Sequence, residues 1–454
     1  MKKVAFHNLG CKVNSYETEY VQQQFAKAGY EIVQFGQKAD IFVINTCTVT
    51  NIADRKSRQM LHRAKKINPD AIVCALGCYV QTDTEGAMKD DSIDILIGNN
   101  RKADTLEIVE KYIKEHPEKN ADFVPNLTIK QKYESMLLES SYEHTRVSVK
   151  IQDGCNQFCS YCAIPFARGR IRSRDPREIQ KEIRNLSENG FVEVVLTGIH
   201  LSSYGLDMEG RSGNYNSAAA SGEYTNKDLL EVIREADKIP GIKRIRLGSL
   251  EPRVITDEFL SGLKKIDSFC PHFHLSLQSG CDSVLKRMNR HYTAEEFLEK
   301  VVLIRHYFED AAIMTDVIVG FPGESDEEFE TCRDFLNRAD FYRVHVFKYS
   351  KRSGTTAAKM DGQIDEQIKE KRSDKLISDN SVRENDFIKS HIGKRLQVLL
   401  EDEETIDGIV YKMGYTMNYI RCAIKADGND LSGLICGVGV GCLRDDILEV
   451  YLDK

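Results

Sequence analysis

Three cysteines fall within eight residues in GCNQFCSYCAIPFARGRIRSR: Cys155, Cys159 and Cys162, spaced C-x3-C-x2-C. Behind them come Arg168, Arg170, Arg172, Arg174 and Arg177. Closely spaced thiolates are metal ligands. A structural zinc takes four protein ligands, commonly from paired C-x2-C spacings. Here the local count stops at three, and no histidine stands between Phe158 and Phe166. Three thiolates instead suit a four-iron cluster that keeps one iron open for a further ligand. The arginines can clamp phosphate or carboxylate in bidentate fashion, or brace the loop. A second cysteine set is dispersed. Cys11, Cys47 and Cys78 lie 36 and 31 residues apart, each closing an apolar, strand-like run. Cys74, inside its run, reads as an ordinary buried thiol.

The elements that must position these groups alternate. KKVAFHNLGC, ADIFVINTC, AIVCALGC and IDILIGN read as strands, with helices over 14–28 (Asn14 as its cap), up to about Ile67, and near 104–115. Alternation at this period predicts an α/β unit over 1–115, a doubly wound parallel sheet with ligands at the carboxyl ends of its strands. The three dispersed cysteines should therefore converge on one sheet edge. Residues 116–140 are polar and irregular, a linker. Over 141–375, RVSVKI, VEVVLTG, IKRIRLGS, FHLSLQS, AIMTDVIVGF and YRVHVFKYS alternate with helical stretches such as 176–189 and 294–308. Six such units predict a complete or partial (β/α)6 barrel with its site on the loops after the strands. A charged helix over about 365–390 leads into short strands with glycine turns, a small all-β, OB-like module within 376–454. SGNYNSAAASG, Ser212 to Gly222, reads as a flexible surface insertion.

Composition narrows the class. A chain of 454 residues, 41% hydrophobic and 29% charged, suits a globular protein of two or three domains. With neither a charged-then-apolar leader nor an apolar run of about 18 residues, a cytoplasmic protein without a membrane anchor is expected. The net charge of -7 argues against a generic polyanion binder, so any nucleic-acid site must be a local patch. Thirteen cysteines, an odd number, point to free thiols and ligands rather than a disulfide framework.

A C-x3-C-x2-C loop after the first strand of a βα barrel resembles the radical SAM superfamily. The resemblance implies an open iron that chelates the amino and carboxylate groups of S-adenosylmethionine, whose reductive cleavage gives a 5'-deoxyadenosyl radical. It places Tyr161 near the adenine and lays DVIVGFPGE, Asp316 to Glu324, against it, with Gly320 and Gly323 permitting close backbone approach. Ser276 and Gln278, and less directly Thr197, Glu251 and Arg253, are then candidates for contacting the rest of that cofactor.

Over nearly its whole length the chain is similar to the methylthiotransferases. LGCKVN, INTCTVTNIAD, ALGCYVQ, GCNQFCSYCAIP, LSLQSGCDSVLKRMNR and the β-rich tail (a TRAM module) stand where that family's motifs stand. This implies a second [4Fe-4S] cluster on Cys11, Cys47 and Cys78, so that all six cysteines are catalytic. It also implies one S-adenosylmethionine that methylates a sulfur there and another that yields the radical. LGCKVN with NTCTVTNIADRKSRQ resembles the MtaB-type branch, which acts on N6-threonylcarbamoyladenosine at tRNA position 37, beside the anticodon. The implied partners are the tRNA anticodon arm and an electron donor such as flavodoxin or ferredoxin, with the enzyme a monomer. Other branches act on isopentenyladenosine in tRNA or on a ribosomal-protein aspartate. A non-enzymatic metal-containing RNA-binding protein is disfavoured because both trios leave a metal position unfilled. A radical SAM methylase would not need the N-terminal trio.

For RNA, DRKSRQMLHRAKK offers Arg55, Arg58 and Arg63 among six cations against one acid. It reads as a phosphate path or as a solvated helix face. From Lys389 to Lys454 the balance is 8 Lys and Arg against 11 Asp and Glu, which does not favour nucleic acid. Tyr411, Tyr415 and Tyr419 there are possible base-stacking surfaces or ordinary strand residues.

Overall fold

Five parallel strands open the chain: β1 (Lys3–Asn8), β2 (Glu31–Val33), β3 (Ile41–Thr46), β4 (Ile72–Gly77) and β5 (Ile95–Ile97), ordered β2-β1-β3-β4-β5. The computed structural model describes residues 1–129, 131–140, 145–208, 226–426, 433–444 and 446–452. β3, apolar through Ile41–Ile44, is buried along its whole length, as a central parallel strand with both faces covered must be. β1 leads into α1 (Lys12–Lys27), β3 into α2 (Asn51–Ile67) and β4 directly into α3 (Cys78–Thr82). Strand order reverses between β1 and β3, so Cys11 and Cys47 flank the switch point at which an open α/β sheet offers a crevice. One expected cap moves. Cys11, extended at φ -91°, precedes the first helical turn, and Asn14 lies inside that turn, buried. Its Nδ2 donates to the carbonyls of Leu9 (2.7 Å) and Thr46 (3.0 Å), tying the ends of two strands together.

The central unit contains β6 (Arg146–Asp153), the two-residue β7 (Arg172–Ser173), β8 (Glu193–Gly198), β9 (Arg244–Leu247), β10 (His272–Gln278), β11 (Ala312–Val319) and β12 (Arg343–Lys348). Sheets β7-β6-β8-β9 and β10-β11-β12 are joined by parallel bridges at Ile245–Phe269 and Leu250–Leu275. The result is a six-stranded partial barrel, open between β12 and β6. Outer helices bury stripes such as Ile179, Ile183 and Leu186, or Phe297, Val301 and Ile304, at about 1.5–3 kcal/mol for each large side chain. Capping boxes at Thr293–Glu296 and Ser325–Glu328 fix where two of these helices start.

The tail closes into a barrel: β13 (Arg395–Ile406), β14 (Ile409–Thr416), β15 (Arg421–Lys425), β16 (Gly433–Arg444) and β17 (Ile447–Leu452), ordered β13-β14-β15-β17-β16. It seats against the amino ends of the central strands. Arg244, the first residue of β9, donates to the carbonyls of Tyr415 (2.8 Å) and Thr416 (2.6 Å). Tyr415 and Tyr419 stack at 4.6 Å, and Arg246 lies 4.2 Å from the Tyr419 ring. These tyrosines therefore glue two units together, and Tyr411 is buried inside the small barrel. Their predicted role as stacking surfaces for RNA is not what this packing uses.

Residues 116–140 hold no helix or strand among those described, yet they are strapped down. Met136 and Leu138 are buried in the central core. The Tyr133 hydroxyl donates to the Lys150 carbonyl (2.8 Å), and the Leu138 N–H donates to Glu182 (2.7 Å). The 212–222 insertion lies outside the described residues. Among those described, no helix is long and apolar enough to cross a membrane.

Candidate active site

The dispersed trio does converge. Thr46 pairs with Gly77 in the β3–β4 register, so Cys47 and Cys78 leave adjacent strands side by side. Gly10, next to Cys11 and at φ +106°, lies so close to Cys47 that an added Cβ would stand 2.8 Å from its Sγ. Burial pushes the Cys47 thiol up to about 11, with Cys78 and Cys11 adding to the shift and nearby Arg168 opposing it. Asn99 donates from Nδ2 to the Cys78 Sγ (3.5 Å) and to the Ala167 carbonyl (2.7 Å), linking this trio to the loop behind Cys162.

Cys155, Cys159 and Cys162 occupy the loop after β6. Gly154, at φ +72°, lets the loop's return limb approach so closely that any Cβ would meet the Arg170 carbonyl oxygen at 1.9 Å. The loop is pinned by Ser160, whose hydroxyl donates to the Arg287 carbonyl (2.8 Å) and whose N–H donates to the Met288 carbonyl (3.0 Å). Burial raises the Cys155 thiol and pushes Cys162 up to about 12, with Cys159 adding to both. Thiols in such surroundings ionise when a metal binds them. Among the described residues no three His, Cys, Asp or Glu side chains close on a single ion. A four-iron cube, whose thiolates each bind a different iron, asks for wider spacing.

Electrostatics favour an anionic occupant at the dispersed trio. Glu17 on α1 is fully buried and meets Lys102 (2.5 Å), Lys150 (2.6 Å) and Arg168 (2.7 Å). Asp153 meets Lys150 (2.7 Å), Arg168 and Arg172 (both 3.3 Å). Burial alone would push the Glu17 carboxyl up, yet Arg168, Lys102 and Lys150 hold it well below the usual carboxylate range. Glu134, nearby, is pushed up to about 7 by burial. Lys102, Lys150, Arg168 and Arg172 thus face at most three carboxylates beside Cys47 and Cys78, and an iron–sulfur cluster on three thiolates would carry the missing negative charge. Both trios fit such a cluster. The same network places three of the five arginines: Arg168, Arg172 and Arg174 are buried braces, the last paired with Glu182. Arg170 and Arg177 are exposed, Arg170 with its guanidinium 4.6 Å over the Phe158 ring.

A cleft of about 240 Å³ lies between the two cysteine sets. Val49 and Thr50, just after Cys47, form one wall; Tyr161, Cys162 and Ile164 form another; Gln278, Asp316, Ile318 and Phe347–Ser350 complete it. Gln278 sits at the end of β10 with φ +71°, a left-handed backbone that a non-glycine residue adopts at a cost of order 1–3 kcal/mol. Val49 and Phe347, two of the lining residues, are exposed apolar side chains, and so are Ile52 and Phe166, each two residues along the chain from the lining residues Thr50 and Ile164.

The other candidate residues divide. Tyr161 and Gln278 line the cleft. Ser276 acts through its carbonyl, which accepts from the Tyr292 hydroxyl (2.6 Å) and from Arg290 (3.2 Å). Glu251 pairs with Arg253 (2.8 Å). Thr197 is buried at the end of β8. Gly320, at φ +71°, faces the stem of Lys369, where a Cβ would lie 2.3 Å from Cγ, so the space its missing side chain leaves is filled by the helix Glu366–Lys389. On α2, Arg55 is exposed, Arg58 lies 5.6 Å over the Tyr79 ring and Arg63 lies 5.9 Å over Phe35. Sequence reasoning missed Arg290, whose Nη1 donates to the Cys159 Sγ (3.2 Å), and Asp316, whose carboxylate faces His274 at 3.0 Å. Arg290 ends the stretch LKRMNR; its position in a motif was the available signal.

Residues 149–336 match the Radical SAM superfamily, and residues 3–98 match a family described as Uncharacterized protein family UPF0004. The chain is 41% identical to the Threonylcarbamoyladenosine tRNA methylthiotransferase MtaB of Bacillus subtilis, over 97% of this chain and 94% of that one. It is 38% identical to the protein of the same name from Aquifex aeolicus, over 94% and 97%. With the tRNA-2-methylthio-N(6)-dimethylallyladenosine synthase of Acetivibrio thermocellus it shares 32% identity, over 99% and 90%. Among solved structures, the radical S-adenosylmethionine methyltransferase TsrM from Kitasatospora setae superposes with a TM-score of 0.55 at 15% identity, over 76% of this chain and 73% of that one, a likeness of fold.

Proposed function

The chain belongs to the radical SAM methylthiotransferases of the MtaB type, and from that premise we propose that it inserts a methylthio group at C2 of N6-threonylcarbamoyladenosine, position 37 of tRNA. The observation that carries this reading is the cleft that both cysteine loops border: Cys162 itself lines it, and Val49 and Thr50 follow Cys47 by two and three residues. A single target carbon held there would be within reach of both loops. Cys155, Cys159 and Cys162 would hold the cluster that binds S-adenosylmethionine, and Cys11, Cys47 and Cys78 a second one. When bound, these groups supply the radical and the sulfur.

The chain's own residues do the aiming. Tyr161 and Ile318 present flat and apolar surfaces for an adenine, while Gln278 and Asp316 offer polar atoms to a nucleoside edge. Arg290 donates to the Cys159 sulfur, a hydrogen bond of the kind that sets a cluster's potential. The apolar mouth, with the exposed Arg55 nearby on α2, suits unstacked bases and phosphates of an RNA loop. Flavodoxin or ferredoxin as electron donor and action as a monomer in the cytoplasm complete the reading.

The test is nucleoside mass spectrometry on tRNA incubated anaerobically with reconstituted protein, S-adenosylmethionine, a reductant and sulfide. The expected result is a methylthio mass gain on threonylcarbamoyladenosine. A gain on isopentenyladenosine instead would overturn the substrate. No gain on either, with 5'-deoxyadenosine still formed, would point to a ribosomal-protein substrate.

A further inference from the structure

One short segment touches both cysteine loops. After β12 the chain runs through Ser350, Lys351 and Arg352 to a turn at Ala357–Lys359. Arg352 is almost fully buried, and its guanidinium fans out over the stretch that follows Cys47. Nη1 donates to the Asn51 Oδ1 (2.6 Å), and Nη2 donates to the Asp54 Oδ2 (2.9 Å) and to the Thr48 hydroxyl. Asn51 answers in the other direction, its N–H donating to the Ser350 Oγ (3.0 Å) and its Nδ2 to the Lys351 carbonyl (3.0 Å). Five residues beyond Arg352, the Ala357 N–H donates to the Ser160 carbonyl (2.8 Å), between Cys159 and Cys162. The segment is itself stiffened where the Thr355 hydroxyl donates to the Arg352 carbonyl (2.8 Å).

We propose that Ser350–Ala357 is a spacer that fixes the separation of the two cysteine loops across the cleft, with Arg352 as its anchoring, positioning residue. This deepens, and rests on, the methylthiotransferase reading, because only a reaction that uses both loops on one carbon needs their separation held. The fork geometry matters. A planar guanidinium presents its donors in a fixed fork, which here reaches Thr48 before α2 and Asn51 and Asp54 in its first turn, whereas an ammonium is a point charge on a flexible stem and a glutamine amide has two N–H donors. β12 is the last strand of an open barrel, so without this anchor the Cys47 loop would lie beside a free edge.

The experiment has two arms, both comparing wild type with Arg352→Gln and Ser350→Ala. In the first, hydrogen–deuterium exchange is followed on cluster-free protein. Amides 48–54 should exchange about tenfold faster or more in R352Q, with a smaller change of the same sign in S350A, while amides of β4 and β11 stay as in wild type. In the second, loaded enzyme is assayed for 5'-deoxyadenosine and methylthio product together. R352Q should keep its rate of deoxyadenosine formation yet release about tenfold more of it per product. Unchanged exchange at 48–54 overturns the proposal, as does an unchanged product ratio. If R352Q loosens throughout, S350A decides, and wild-type behaviour in both arms overturns the spacer. A wild-type enzyme that makes no methylthio product overturns the function above, and the exchange arm still decides whether Arg352 holds the loop.

Discussion

Replacing Glu17 by Gln would test whether buried charge holds the N-terminal sheet against the barrel. Glu17 sits on α1, Lys102 precedes the helix Thr105–Glu115, and Lys150 and Arg168 belong to the central unit, so one carboxylate bridges two folding units. Removing one partner of a buried ion pair costs about 3–5 kcal/mol, because the remaining charges stay out of water. Here three cations lose a partner at once, so the upper half of that range is expected. At about 2–4 °C per kcal/mol for units of this size, the melting temperature should fall by roughly 8–20 °C. The assay is calorimetry on cluster-free wild type and Glu17→Gln at several pH values. The folded-state pKa of Glu17 is depressed, so its contribution is full above the unfolded value of about 4.3 and disappears as pH falls through the lower folded value. The gap between the two proteins should therefore be widest at pH 7 and shrink in acid. A loss below about 1 kcal/mol at pH 7, or a gap that does not narrow in acid, would refute the reasoning.

Three further outcomes are expected. Cys159→Ala should abolish 5'-deoxyadenosine formation, measured by chromatography after reconstitution; retained formation removes the Cys155–Cys162 loop from the radical chemistry. Cys47→Ala should leave S-adenosylmethionine cleavage measurable and stop methylthio product, and normal product would free the first trio from the reaction. Charge reversal at Arg55, Arg58 and Arg63 should weaken tRNA binding and lower the salt slope by about 0.7–0.9 for each phosphate no longer neutralised. Because Arg58 and Arg63 lie over aromatic rings, Arg55→Glu alone should account for much of the effect, read in a filter-binding titration.

What the sequence disclosed was periodic or clustered. Six strands of the barrel, the closing all-β module and the convergence of Cys11, Cys47 and Cys78 follow from apolar runs and their spacing, since strands at βα period in a parallel sheet share a carboxyl edge. The three-residue β2 left too short a pattern to see. The arginine run was visible, but its purpose was not. An arginine looks the same in sequence whether it faces water or a carboxylate 151 residues away, as Arg168 does with Glu17. Arg352 and its acceptors lie about 300 residues from one another, and no local rule connects them. Tyr415 and Tyr419 carry the same lesson, since an aromatic strand residue can stack on a base or on a neighbouring unit. Only the location of Arg246 and Arg244 decides it.

The seat of the small barrel has a consequence for how the protein is made. Arg244 and Arg246 are buried where Tyr415, Thr416 and Tyr419 supply two carbonyl acceptors and an aromatic face. Those residues leave the ribosome long after the walls that hold the arginines. Chains grow at about 5–20 residues per second, so for several seconds or more the finished walls stand over an unfinished floor, with Glu193 on β8 the partner that both guanidiniums share within the walls. A chain cut short before β14 would lack the carbonyls and the aromatic ring that close this end.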